Sequence, residues 1–141
     1  MPGGWTDNAL RFATYALFAG FGILLGTIGA FLVPDGIVGG FLSLATLVAV
    51  AGNVFVGLLG LSATGSAGGA FAALAGWFVA VGAFATFSPG GDVVIPGGLA
   101  NDPGVVHAGV TFMIAGLVGS VVTIVLTSRY TARVNPPKSL P

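Results

Sequence analysis

The chain has no cysteine, a single histidine, and charged side chains at only 6% of its 141 positions. Each scarcity excludes something. Without cysteine there are no disulfides, no thiolate nucleophile and no iron–sulfur ligation. One histidine cannot supply an intrachain pair of imidazoles to a haem. Four basic residues at zero net charge form no patch able to neutralise a run of phosphates, so nucleic-acid binding is not expected. The shortage of charge matters most. A water-soluble domain typically devotes about 25% of its residues to charge. At 55% hydrophobic residues and a mean hydropathy of +1.05, most of this surface must face lipid.

What is present is a set of long uncharged stretches. Residues 1–10 form a short polar segment, and no charge interrupts Phe12 to Pro34. That predicts a first membrane helix over about 11–33, too long for the apolar region of a cleaved signal peptide and therefore expected to be retained. Pro34-Asp35-Gly36 is a turn signal, since proline presets φ, aspartate bonds the next backbone groups and glycine accepts positive φ. From Gly36 to Gly91 there is again no charge, and roughly 20 residues suffice to cross a bilayer. This stretch must therefore turn once. Its only small and polar run, Ser62 to Gly69, divides it into helices at about 37–61 and 70–87. A longer loop rich in glycine and proline follows. Asp102 as N-cap and Pro103 in the first turn then open a fourth helix over about 104–128. Residues 129–141, with Pro136 and Pro137, read as an extended tail.

The expected fold is thus all-α, an integral membrane four-helix bundle. Orientation follows from the basic residues. Arg11, Arg129, Arg133 and Lys138 all flank the two ends, and no connecting loop contains Lys or Arg. The positive-inside rule places both termini in the cytoplasm, and four crossings require them on one side. The plasma membrane is the expected location, with the long loop between the third and fourth helices outside.

Lipid tails are as apolar as leucine, so helix association there depends on close packing of small residues and on interhelical hydrogen bonds. Gly22, Gly26 and Ala30 recur at four-residue spacing in the first helix, and Ala72, Gly76 and Ala80 do so in the third. Gly52, Gly57 and Gly60 lie in the second. Ala115 pairs with Gly119, and Gly116 with Ser120, in the fourth. These faces suit a tight bundle, a homo-oligomer or a partner's helices equally well. The bulky residues Phe18, Phe21, Phe41, Leu44, Phe55, Phe71, Phe78 and Phe112 are then expected on surfaces that face lipid or a partner. Trp77, in mid-helix, is expected against a neighbouring helix.

Few residues offer chemistry. Asn53 is the most polar group deep in a span, and such groups usually face inward. The expectation is an interhelical hydrogen bond, to Thr27, Thr123 or a backbone carbonyl; a ligand contact on a transport path is the alternative. His107, with Asp35, Asp92 and Asp102, could form a polar cluster at the outer face, where ordinary interfacial placement competes with metal or proton binding. No span contains Asp, Glu, Lys or Arg in its interior, no Ser/His/Asp set is present, and no phosphate-cradling motif occurs. Neither an independent enzyme nor a cofactor or metal is expected.

Gly29-Ala30-Phe31 before Pro34-Asp35-Gly36 is echoed by Gly82-Ala83-Phe84 before Pro89-Gly90-Gly91-Asp92. Similar turn chemistry at one membrane face, or duplication of a helical hairpin, would produce this. The run from Gly76-Trp77 through Ser88-Pro89-Gly90-Gly91-Asp92-Val93-Val94-Ile95-Pro96 resembles a family of small actinobacterial four-helix membrane proteins. In that family a third-helix tryptophan precedes an outer loop of the form Pro-x-Gly-Asp. The resemblance implies the four-helix architecture and carries no activity. Two functions remain as expectations: an accessory subunit packed against larger membrane subunits, or a small homo-oligomeric channel for a neutral solute.

Overall fold

The structure is a computed structural model, described here for residues 4–34, 42–86 and 103–134. Among these residues it is all-helical, with α1 (Gly4–Phe31), α2 (Leu44–Thr64), α3 (Ala67–Thr86) and α4 (Pro103–Val134). Each contains a stretch long and apolar enough to cross a bilayer. The four are consistent with a multi-pass membrane protein.

Helix ends differ from the sequence expectation for local reasons. α1 starts at Gly4 rather than near residue 11, with Asp7 in its first turn, where the positive end of the helix dipole favours a carboxylate. α2 starts at Leu44 rather than 37, after Leu42 and Ser43, which are not helical; residues 37–41 lie outside those described. Ser43 precedes it in an extended conformation (φ −127°, ψ 167°). Its backbone N–H donates to Thr46 Oγ1 at 3.4 Å, and its carbonyl accepts from Thr46 N at 3.0 Å. The break expected across Ser62 to Gly69 narrows to two residues. α2 continues to Thr64 and stops at Gly65, whose φ of 61° is left-handed and natural only to glycine at a helix end. α3 resumes at Ala67.

The fourth helix shows the largest departure. Residues 129–134, expected in an extended tail, continue α4 to Val134 with Arg133 in the last turn. Arg and Ala are good helix formers, and a cation is favoured at the C-terminal end of the dipole. Helix ends one residue before Asn135, which the following Pro136 biases away from helical ψ.

Neighbours in sequence are not the closest neighbours in space. α1 packs most extensively on α3, and α2 on α4. Gly22 lies against Ala73 and Trp77, Gly26 against Trp77 and Ala80, and Gly76 against Ala19. These contacts advance together along both helices, so α1 and α3 run parallel. Phe31 and Phe84, the matching aromatics of the two echoed segments, meet edge to face with ring centroids 5.5 Å apart. α2 and α3 form the tight hairpin, with backbone touching backbone where Gly60 faces Gly69.

Two phenylalanines are not on the outside. Phe18 and Phe112 are buried, a correction to the expectation that both face lipid or a partner. Phe112 reaches from α4 across to Gly29 of α1 and lies 5.7 Å from the Trp77 ring. The absence of a side chain at Gly29 makes that space, so the aromatic is drawn inward. Phe21, Leu44, Phe55, Phe71 and Phe78 are exposed as expected, while Phe41 lies outside the described residues.

Candidate functional site

Among the described residues, the buried side-chain hydrogen bonds that join two helices lie in the α2–α4 seam. Asn53, only 2% exposed, donates from Nδ2 to the carbonyl of Gly116 at 3.1 Å. Thr123 returns a bond, its Oγ1 lying 3.2 Å from the Asn53 carbonyl and 2.9 Å from that of Gly119 on its own helix. Ser120 Oγ donates to the same Gly116 carbonyl at 2.8 Å. One carbonyl thus takes two donors, and Asn53 joins the two helices by reciprocal bonds to residues two turns apart on α4. Gly57 makes room for the Thr123 methyl, and Gly119 lies against the backbone of Ala49 and Val50. Ala115 is buried beside this seam. Thr27 has no part in it and bonds the Ile23 carbonyl at 2.8 Å within α1.

Between α3 and α4 the space is filled by rings. Trp77 is 1% exposed and lies over Gly116, whose missing Cβ leaves the gap the indole occupies. Phe112 stacks beside it, and Ala30, Ala49, Val81, Ala108 and Ala115 close the cluster. The Trp77 indole N–H has no hydrogen-bond partner, an unusual cost for a donor so deep in the bundle. The arrangement can hold four helices together. Around Trp77 and Phe112 its interior is packed with side chains.

The residues of the expected polar cluster fare differently. His107 lies exposed in the second turn of α4, and its carbonyl accepts from Thr111 Oγ1 at 2.8 Å. Asp35, Asp92 and Asp102 fall outside the described residues, as does the Ser88–Pro96 loop. Among the described residues, no group of His, Asp or Glu could hold a metal ion.

Of the small residues named from spacing, Gly22, Gly26 and Gly76 form the α1–α3 seam, Gly119 faces α2, and Ala115 is buried in the cluster around Trp77. In α3 the residue facing Gly22 is Ala73 rather than Ala72. Sequence reasoning missed one contact altogether. Tyr15 of α1 reaches the α2–α3 turn, its hydroxyl 3.1 Å from Ser66 Oγ, with its ring against Gly68. A tyrosine one turn beyond Arg11, opposite a small polar turn, was the available signal. Comparison with family models, with curated proteins and with solved structures finds no match to this chain.

Proposed function

We propose that this chain is a non-catalytic accessory subunit of a larger membrane assembly, of respiratory, transport or envelope-synthesis type. In this reading it lies in the plasma membrane with both termini cytoplasmic. The observation that supports it is the filled interior. Trp77 and Phe112 occupy the centre of the bundle, and Asn53 is committed to the Gly116 carbonyl. Most of the small residues named from spacing are packed inside the chain, whereas Gly20 and Gly82 face open space, so docking falls mainly to the bulky outer faces. On α4 these include Val110, Ile114, Leu117, Val118 and Val121, all exposed. Helices in lipid associate by van der Waals packing as well as by polar bonds, and these aliphatic faces supply packing alone.

Purification of the tagged full chain in a mild detergent tests the proposal. Recovery with larger, unrelated membrane subunits at fixed stoichiometry is the expected result. A lone homo-oligomer that conducts a neutral solute in liposomes would replace this reading with a channel running between copies. For orientation, a reporter fused at Asn101 is expected to behave as extracytoplasmic.

A further inference from the structure

At the end of the bundle where α1 begins, Arg11 lines a half-open cleft of about 160 Å³ with Leu10, Thr14, Tyr15, Ala63 and Thr64. By the volume of liquid water this space holds on the order of five water molecules, enough for one tetrahedral oxyanion. Its walls are held in place. Tyr15 is bonded to Ser66, Thr64 Oγ1 donates to the Gly60 carbonyl at 2.7 Å, and Ser66 N donates to Thr64 Oγ1 at 3.3 Å. The guanidinium offers several donors in a planar fork suited to two oxygens of one phosphate. The Tyr15 hydroxyl, 3.1 Å from Ser66 Oγ, also lines the cleft and can turn its proton from Ser66 to a third oxygen.

The surroundings say which phosphate. Arg129 and Arg133 are exposed at the same end of the bundle, near the C-terminus of α4, and basic residues at a membrane surface attract anionic lipid. From the cleft, a stripe of exposed apolar residues runs down α1 at helical spacing: Leu10 (67% exposed), then Leu17, Phe21 and Leu24. A free phosphate would have no use for that stripe, whereas acyl chains would lie along it. We infer that this cleft binds the phosphate of an anionic phospholipid headgroup, with Arg11 as its principal contact and Tyr15 as a second donor. Asp7, one turn before Arg11 and exposed, is the acidic group on the same helix that competes with the lipid for the guanidinium. The inference does not depend on the accessory role.

Native mass spectrometry of the full chain in mild detergent tests it, with phosphatidylglycerol, phosphatidylcholine and inorganic phosphate as probes. One phosphatidylglycerol per chain should be retained about tenfold more tightly than phosphatidylcholine, as one good charge-assisted bond pair provides. Arg11→Gln should abolish that preference, and Tyr15→Phe should reduce it about threefold. Arg11 is exposed, so its removal should not unfold the bundle. Replacing Arg129 and Arg133 together by Gln should weaken binding less than Arg11→Gln does. Millimolar inorganic phosphate should not displace the lipid. Retained preference in Arg11→Gln, equal retention of the two lipids, or displacement by inorganic phosphate would each overturn the proposal.

Discussion

The two closest helix pairs in this protein are held by opposite means. Along α1–α3 the contacts are dry: Gly22, Gly26 and Gly76 bring backbone against Ala73, Trp77 and Ala19, and no side-chain hydrogen bond crosses that seam in the bilayer interior. Along α2–α4 the seam is tied by Asn53, Thr123 and the Gly116 carbonyl. Between helices in lipid there is no gain from leaving water, so association must come from packing or from polar bonds. This chain uses one on each side. A dry seam of glycines has almost nothing to lose by deletion and everything to lose by addition. A hydrogen-bonded seam is the reverse, because removing one partner leaves the other buried and unsatisfied.

That contrast predicts a ranking, readable as the shift in unfolding free energy in detergent micelles titrated with dodecyl sulfate. The largest effect should come from filling the dry seam. Gly22→Leu meets the Ala73 backbone and the start of the Trp77 turn, neither of which can rotate away. Overpacking usually costs about 1–3 kcal/mol; here the loss should exceed about 3 kcal/mol and separate α1 from α3. Trp77→Ala comes next, at about 3 kcal/mol, because it empties the space over Gly116. Trp77→Phe should cost far less, about 1 kcal/mol, since it leaves a smaller void and removes the unpartnered indole N–H. A Trp77→Phe variant as damaged as Trp77→Ala would show that the N–H has a partner after all.

In the polar seam, Asn53→Leu should cost about 1–2 kcal/mol, near the upper end for polar contacts between membrane helices. Thr123→Val should cost about 0.6 kcal/mol, since it keeps the shape that fills Gly57 and loses one bond. Measured together, the pair should lose less than the sum of the singles, because both act on one bonded unit. Strict additivity would mean that the two bonds are independent. Gly22→Leu combined with Asn53→Leu should depart from simple addition, because Gly22 lies against Trp77 and Trp77 lies over Gly116, the acceptor of Asn53.

The crossings were legible because charge is excluded from lipid more reliably than any other property. Each of the four expected spans contains an apolar helix, and the small polar run at Ser62–Gly69 did contain the turn. Helix ends were harder to read. Residues 129–134 look polar enough for a tail, yet an α-helix can project past the membrane surface until a proline stops it. Asn53 stood out by its depth in an apolar span. Thr123 and a backbone carbonyl were among its expected partners and both bond it, but which carbonyl takes the amide leaves no mark in the sequence. Phe112 and Phe18 were misplaced for a related reason. Near-uniform hydrophobicity in a membrane helix erases the periodic signal that separates inside from outside, so only the facing glycine reveals which ring turns inward. The Arg11 cleft was invisible until α1 and the α2–α3 turn were brought together.

The most direct test of the closed interior uses the absence of native cysteine. Ser120 is buried in the α2–α4 seam and Ser120→Cys changes its shape little, while Arg133→Cys places a thiol on an exposed turn. In intact membranes opened to reagent from both sides, a charged, water-soluble methanethiosulfonate should modify Arg133→Cys rapidly and leave Ser120→Cys unmodified. Labelling of Ser120→Cys at a comparable rate would show water in the seam, contradict the filled bundle and favour a solute path.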